Sequence, residues 1–516
     1  MNGQAGKGDR PRPVNQTIYS KNYQQAFPMK DTDPRYWMLP TPDNVNILNL
    51  ILRMDSYKLF HKPQYPKGTE QVFAYGEARI PNGRTIFFGL QPHLDAIFNV
   101  RVTHEDLRQA RAFSKAHTGR DLVTVDDWIR VINHYKGRIP LDIYSAPEGE
   151  LIPGSNALFV VFNRDKQLFW MTNAMEDILS WVWYPTTIAS NSFECKQDIR
   201  RWLAKTGGDV AAADFMLHDF GLRGVTCLEQ AMIGGLAHLT SFKGTDTMPA
   251  ILFGIKHYNS GMCGFSIPAS EHSTITSWGN TDEDEIKAYE NMLDTYPDGL
   301  FACVSDGRNV YNAVRDMWGG KLRDRILQRE GKLVIRPDSG DPVEVNRKLL
   351  QIIWEKFGGT VNAKGFRVFD SHVGLIQGDG IDRKVMNDIL QMAYDEKFAA
   401  SNYAFGSGGG LLQKFNRDTN RFAIKCGAIV VNGEKRNVSK NPITDPGKNS
   451  KSGYVYLARD EDTGEYKTLT HFDPLVLTKL RDSAFIERVI DGEIVNRPVF
   501  ADIVDRVSKY ADPIEQ

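Results

Sequence analysis

Several short stretches of this 516-residue chain carry residue types at spacings that can do chemistry. "FGSGGGLLQK" (405–414) places glycine at 406, 408, 409 and 410. Glycine runs weaken regular structure, because the unfolded residue has much conformational freedom to lose. A flexible linker keeps serine and other polar neighbours, whereas here the flanks, Tyr403-Ala404-Phe405 and Leu411-Leu412, read as core. The alternative use for such bare backbone is close approach of N–H groups to an anion. No GxxxxGKS/T can be drawn through the stretch, and Leu411 takes the last place of a GxGxxG counted from Gly406, which disfavours triphosphate and dinucleotide loops. A cradle for one terminal phosphate remains.

"IRPDSG" sets Arg336 and Asp338 two residues apart, on one face if the chain is extended there. A guanidinium can hold a carbonyl or a phosphate, and a carboxylate can accept from sugar hydroxyls or steady developing positive charge. A salt-bridged turn is the competing reading. "IQGDG" adds Gly378 for close approach and Asp379 as a hydroxyl acceptor. In "PASEHSTITSW", His272 lies between Glu271 and the hydroxyls of Ser273 and Thr274, which can set its tautomer and basicity. With no HExxH and no cysteine partner, zinc fits poorly; with no GxSxG, so does a serine hydrolase. "DSYKLFHKPQYP" gathers Asp55, Tyr57, Lys58 and His61. Arg79, Arg417, Lys425, Lys440 and Lys448 are cations that read either as solvated surface or as an anion site.

These residues need elements to hold them. Lys+Arg 63 against Asp+Glu 64 leaves a net charge of -1, so any anion site is local and bulk attraction to nucleic acid is not expected. No apolar run reaches the roughly 20 residues of a membrane span. Five scattered cysteines, with no CxxC, suit reduced buried thiols in a cytoplasmic protein. Residues 1–42 read as a polar, loosely ordered extension clipped to the body by Tyr36 and Trp37, and 43–184 as an α+β unit. Across 185–425, apolar segments each end in a polar loop: "HDFGLRG", "FKGTDT", "FACVSDG", "LVIRPDSG", "LIQGDG" and "YAFGSGGG". Strands alternating with helices imply parallel βα units, and in a closed barrel the loops after the strands meet on one face. Residues 426–516 read as a β-rich segment packing back on the first unit.

Taken together, "DSYK", "HDFGLRG", "FKGTDT", "EHSTIT", "VSD", "IRPDSG", "QGDG" and "FGSGGGLLQK" resemble, in order and spacing from about residue 45 to at least 453, the nicotinamide phosphoribosyltransferases of the type II phosphoribosyltransferase family. The resemblance implies an irregular (β/α) barrel with an α+β/β-rich domain built from N- and C-terminal segments. It implies transfer of phosphoribosyl from phosphoribosyl pyrophosphate to nicotinamide. Phe220 would stack on the pyridine and Tyr57 of a second subunit would cover its other face. Asp246 would accept from the carboxamide, Arg336 would meet its carbonyl and Ser266 would tune the pocket. Asp338, Gly378 and Asp379 would hold the ribose. Ser407, Gly408, Gly409 and Arg417 would take the 5-phosphate, and Arg79, Arg223, Lys425, Lys440 and Lys448 the pyrophosphate. Asp55 belongs to the matching N-terminal cluster. His272, oriented by Asp306, would be phosphorylated by ATP, Mg2+ would organise the phosphates, and the active unit would be a homodimer. Nicotinate use, or a weakly catalytic nucleotide-binding protein, are the alternatives. Leu222 stands where some relatives have an aromatic residue.

Overall fold

The computed structural model describes residues 31–80, 82–441, 449–471 and 476–513. A seven-stranded antiparallel sheet forms one part of the molecule, in the order Glu434–Asn437, Phe422–Val431, Thr69–Ala78, Ala157–Asn163, Leu141–Ser145, Ile486–Ile490, Glu493–Ile494. The apolar run "ALFVVF" lies in Ala157–Asn163, which is buried along its whole length, as a central strand covered on both faces must be. N- and C-terminal segments therefore share one sheet and one core, from Leu50 to Val489. The boundary expected at 425 falls inside Phe422–Val431, which pairs with Thr69–Ala78 from Phe422 to Val431 across register shifts at Phe73/Ala74 and Thr69/Gln71, so the strand belongs wholly to this sheet. Residues 34–37 form a short helical turn that docks on the body: Arg108 donates to the Tyr36 carbonyl (3.0 Å), and Arg111 lies over the Tyr36 and Trp37 rings.

The second part is a six-stranded parallel sheet in the order Gly244–Thr245, Leu217–Asp219, Tyr403–Ser407, Val373–Gln377, Glu330–Arg336, Asp298–Val304. The six polar loops picked out in the sequence follow the C-terminal ends of these six strands. Both edges of the sheet bond to the same irregular segment. Thr245 N–H donates to the Phe265 carbonyl (2.9 Å), and Ala302 N–H donates to the Pro268 carbonyl (2.9 Å). The sheet thus curls until segment 265–270 joins its two edges, giving an irregular barrel. The helices Pro342–Phe357 and Arg383–Asp395 pack apolar faces on it, around Leu349, Ile353, Ile389 and Leu390.

The two parts are tied by a fully buried cluster. Arg488 reaches Glu148 (3.3 Å) and Gln91 (2.8 Å), while Glu148 accepts from Gly89 N–H (2.7 Å), Gln91 N–H (3.1 Å) and the Tyr258 hydroxyl (2.8 Å). All five cysteines are free; Cys227 is exposed, contrary to the expectation of buried thiols, because it precedes the helix Leu228–His238 in a surface turn. Among the described residues no helix is long and apolar enough to cross a membrane.

Candidate active site

The barrel loops enclose a cleft of about 980 Å³. Of the residues singled out from the sequence, Phe220, Arg223, Asp246, Arg336, Asp338, Gly378, Asp379, Gly408 and Gly409 line it. Parallel strands put them there, since each follows, or in the case of Arg336 ends, a strand at its C-terminal end, and those ends share one side of the sheet.

Arg336 and Asp338 share the cleft and form the ion pair that the salt-bridged-turn reading expects, but a long one: Nε and Oδ1 stand 3.8 Å apart, beyond hydrogen-bonding distance. Arg336 Nε is buried with no hydrogen-bond partner, which leaves a donor for a ligand. Burial raises the Asp338 carboxyl above its ordinary value; Arg336 opposes this, and Asp306 and Asp379 add to it by repulsion. His272 opens a short helix whose start is capped by Glu271 and Thr274. Its Nε2 bonds Asp306 (2.8 Å), and its Nδ1 faces Asp338 at 3.9 Å. An ionised carboxylate only accepts, so the proton of the neutral ring sits on Nε2 and the lone pair on Nδ1. Ser266 donates to Asp246 Oδ1 (2.5 Å), fixing that carboxylate in the cleft that Phe220 also lines.

The glycine run serves two purposes. A Cβ on Gly406 would lie 1.9 Å from Phe220 Cε2, and one on Gly410 would lie 2.1 Å from the Ile381 carbonyl oxygen. These two are bare so that a ring and a loop can pack against them. Gly408 and Gly409 face the cleft, and the nearest atoms to a Cβ on either stand 3.3 Å away. Gly410 also lines the cleft, but the Ile381 contact already accounts for it, which leaves Gly408 and Gly409 as the pair for the anion-cradle reading. Ser407, expected to offer backbone beside them, is buried outside the cleft lining, and its hydroxyl donates to the Ile381 carbonyl (2.6 Å). Arg417 is exposed beside Asp418, also away from the lining. Leu222 lines the cleft mouth and is exposed, so the departure there loosens no core packing.

A second set stands apart from the cleft, on the seven-stranded sheet and the adjoining N-terminal segment. Arg79 is largely buried, its Nε on Glu77 (2.6 Å) and its Nη2 without a partner. Lys425 is half-buried; burial lowers its proton affinity, and the nearby charges of Arg79 and Lys440 lower it further. Tyr57 is exposed, edge-on to His61 (4.6 Å), and Asp55 N–H donates to Asp177 (2.7 Å). None of these lines the barrel cleft. Lys448 lies outside the described residues. Sequence reasoning missed Lys451, which bonds Glu77 and lies over the Tyr75 ring at 5.5 Å, and Lys414, which lines the cleft and pairs with Asp382. Lys414 ended the quoted glycine motif and Lys451 sat in a basic loop; neither position alone signals a site.

The family model "Nicotinamide phosphoribosyltransferase, N-terminal domain" matches residues 49–143, and the "Nicotinate phosphoribosyltransferase (NAPRTase) family" model matches residues 215–484. A nicotinamide phosphoribosyltransferase of Xanthomonas campestris pv. campestris (strain 8004) is 45% identical over 426 residues, covering 81% of this chain and 90% of that one. The chain belongs to the nicotinamide phosphoribosyltransferase family. A second member, from Acinetobacter baylyi, is 33% identical over 456 residues, covering 81% of this chain and 89% of that one. The solved structure of nicotinate-nucleotide pyrophosphorylase from Pyrococcus furiosus superposes with a TM-score of 0.52 over 92% of this chain and 97% of that one, at 16% identity, a likeness of fold. The type II barrel of the nicotinamide phosphoribosyltransferases is thus the scaffold that positions Phe220, Asp246 and Arg336.

Proposed function

We propose that this chain transfers the 5-phosphoribosyl group of phosphoribosyl pyrophosphate to nicotinamide, forming nicotinamide mononucleotide and pyrophosphate in NAD salvage. The observation that carries this reading is the pairing of Asp246, set by Ser266, with the unpartnered Nε of Arg336 in one cleft. A carboxamide donates through its nitrogen and accepts through its oxygen, so it satisfies both groups. A carboxylate would be repelled by Asp246.

In the transfer, the C1–O bond to pyrophosphate breaks as the pyridine nitrogen bonds C1. The ribose passes through oxocarbenium character, which a fixed carboxylate such as Asp338 stabilises as it develops. Phe220 stacks the pyridine against C1, Asp379 accepts from ribose hydroxyls, and the N–H groups of Gly408 and Gly409 take the 5-phosphate. Magnesium fits as an ion carried mainly on the phosphates. Among the described residues no group of three ligating side chains could hold a metal alone, and hard-oxygen donors such as Asp338 and Asp379 would complete its shell. It would neutralise the charge of the leaving pyrophosphate.

The cations on the seven-stranded sheet and Tyr57 suit a site completed by a second copy. Leu228, Met248, Leu252 and Ile255 present an exposed apolar face on the helices Leu228–His238 and Met248–Tyr258 beside the cleft, the kind of surface a subunit covers. In such a homodimer, Asp338→Ala and Arg79→Ala are each expected to be nearly inactive. Subunits of the two variants, unfolded and refolded together in equal amounts, should recover roughly a quarter of wild-type activity, because half the dimers hold one intact site. No recovery would mean that both residues of a site come from one chain, and would contradict the shared site.

ATP use fits His272. Its Nδ1 lone pair would attack the γ-phosphorus, forming an N–P bond as the bond to the departing ADP oxygen breaks, and water would later release phosphate. On Nδ1 the phosphoryl group would meet the Asp338 carboxyl, 3.9 Å from that nitrogen, which keeps the adduct labile, while Asp306 holds the ring through Nε2–H. His272→Ala should abolish stimulation by ATP and any acid-labile phosphoprotein, while ATP-independent transfer persists. A cytoplasmic location belongs to the same reading. The function as a whole is tested by incubating the purified chain with nicotinamide, phosphoribosyl pyrophosphate and magnesium. The expected result is equimolar mononucleotide and pyrophosphate; tight nucleotide binding without turnover would favour the binding-protein alternative.

A further inference from the structure

Asp219 ends the strand Leu217–Asp219 and has no exposed surface. Among the described residues it has no ion-pair partner. A carboxyl buried without a cation costs stability unless hydrogen bonds hold it, so what those bonds achieve explains its presence. Oδ1 accepts from Gly221 N–H (2.7 Å), closing a turn around Phe220 that sets where the ring leaves the backbone. Phe220 N–H in turn donates to the Ser407 carbonyl (3.0 Å), so the ring is held from two strands. On the other side, the Asp219 carbonyl accepts from Asp246 N–H (3.0 Å), and the Thr245 hydroxyl stands 3.5 Å from Oδ2. Thr245 Oγ1 itself receives Thr247 N–H (2.9 Å), which fixes the turn carrying Asp246.

The carboxyl also sits in a fitted socket. A Cβ on Gly221 would lie 2.9 Å from Oδ1, and one on Gly235, in the helix Leu228–His238, would lie 2.9 Å from Oδ2. The same two Cβ atoms would come closer still to Leu412 Cδ1 (2.4 Å) and Ala250 Cβ (2.7 Å), so each glycine admits the carboxyl together with an apolar neighbour. Behind the cleft, a single residue is bonded to the loop that bears the stacking ring and to the loop that bears the carboxamide acceptor.

We propose that Asp219 is a positioning residue for the pyridine pocket, holding the Phe220 ring and the Asp246 carboxylate in one fixed register. This rests on the assignment of those two residues to nicotinamide above. Burial pushes the carboxyl up to about 6, with the charge of Asp246 adding to the effect; a site built only for stability would place no unpaired acid there. Asp219 does not line the cleft, so its effect on substrate passes through its two neighbours.

The test uses the full chain and the variants Asp219→Asn and Asp219→Ala, with each substrate varied at saturation of the other. Asp219→Asn keeps an acceptor for Gly221 N–H and should raise the KM for nicotinamide about threefold; Asp219→Ala loses it and should raise that KM about tenfold or more. The KM for phosphoribosyl pyrophosphate should stay within about twofold in both, a split that general loosening of the barrel would not produce. Combining Asp219→Ala with Asp246→Ala should cost less than the product of the single losses, because part of the Asp219→Ala loss is a misplaced Asp246 carboxylate, which Asp246→Ala has already removed. If Asp219→Ala fails to fold by circular dichroism, Asp219→Asn decides alone. An unchanged nicotinamide KM in the folded variants, or an equal rise in both KM values, overturns the proposal. If the wild-type chain forms no mononucleotide, the function above fails instead. Calorimetric titration of nicotinamide into wild type and Asp219→Asn then decides the positioning role: weaker binding in the variant supports it, and equal or undetectable binding in both overturns it.

Discussion

Gly406→Ala is expected to lower kcat/KM for nicotinamide about a hundredfold, the scale of loss that follows a misplacement of roughly 1 Å in a reacting group. The added methyl would lie 1.9 Å from Phe220 Cε2 and 2.2 Å from Cδ2, well inside van der Waals contact, so ring and strand cannot both stay. The strand is held by parallel pairing on both sides, with Leu217–Asp219 and with Val373–Gln377, so it is the ring that yields. It must swing into the cleft, where the pyridine belongs. Overpacking of this kind also costs about 1–3 kcal/mol of stability. Gly409→Ala is the control. Its Cβ would meet only the end of the Gln413 side chain, at 3.3 Å, so folding should be kept and the KM for phosphoribosyl pyrophosphate, not nicotinamide, should rise. Steady-state kinetics of the two variants separate the roles within one glycine run. Equal behaviour of the two would mean that Phe220 is not where the pyridine stacks.

The second large effect is on stability. Arg488→Met is expected to cost about 3–5 kcal/mol, because it leaves the Glu148 carboxylate fully buried without its cation. Glu148 would retain Gly89 and Gln91 N–H and the Tyr258 hydroxyl, but those donors are dipoles, not a compensating charge. The pair joins three distant segments: the turn at 89–91, the helix Met248–Tyr258 and the strand Ile486–Ile490. Loss should therefore appear as earlier and less cooperative urea unfolding, with the seven-stranded sheet parting from the barrel. The double variant Glu148→Gln/Arg488→Met should lose less than the sum of the single variants, since neither charge is then stranded. Full additivity would show that the two side chains do not depend on each other.

Much of the site was legible in the sequence because it lies where alternation of strand and helix puts it. Six polar loops after six apolar segments predicted one face, and Arg336, Asp338, Asp246 and Asp379 are found on it. What the sequence hid depends on contacts between remote residues. Gly406 resembles Gly408 in sequence, and only the Phe220 ring, brought in from another strand, distinguishes them. Ser407 reads as part of the phosphate loop, and only the fold shows it buried outside the cleft lining with its hydroxyl on the Ile381 carbonyl. The closure of the sheet through segment 265–270 was invisible, because those residues form single bridges with no strand periodicity. Asp219 was one acid among several at strand ends, and burial alone sets it apart.

The most direct test of the central claim is a competition for the cleft. Equimolar nicotinamide and nicotinate are incubated with the chain, phosphoribosyl pyrophosphate and magnesium, with and without ATP, and both mononucleotides are quantified. A pocket that pairs Asp246 with Arg336 Nε predicts that the amide product dominates and rises with ATP. Dominance of the acid product would contradict the account, since it would mean that Asp246 does not face the pyridine substituent.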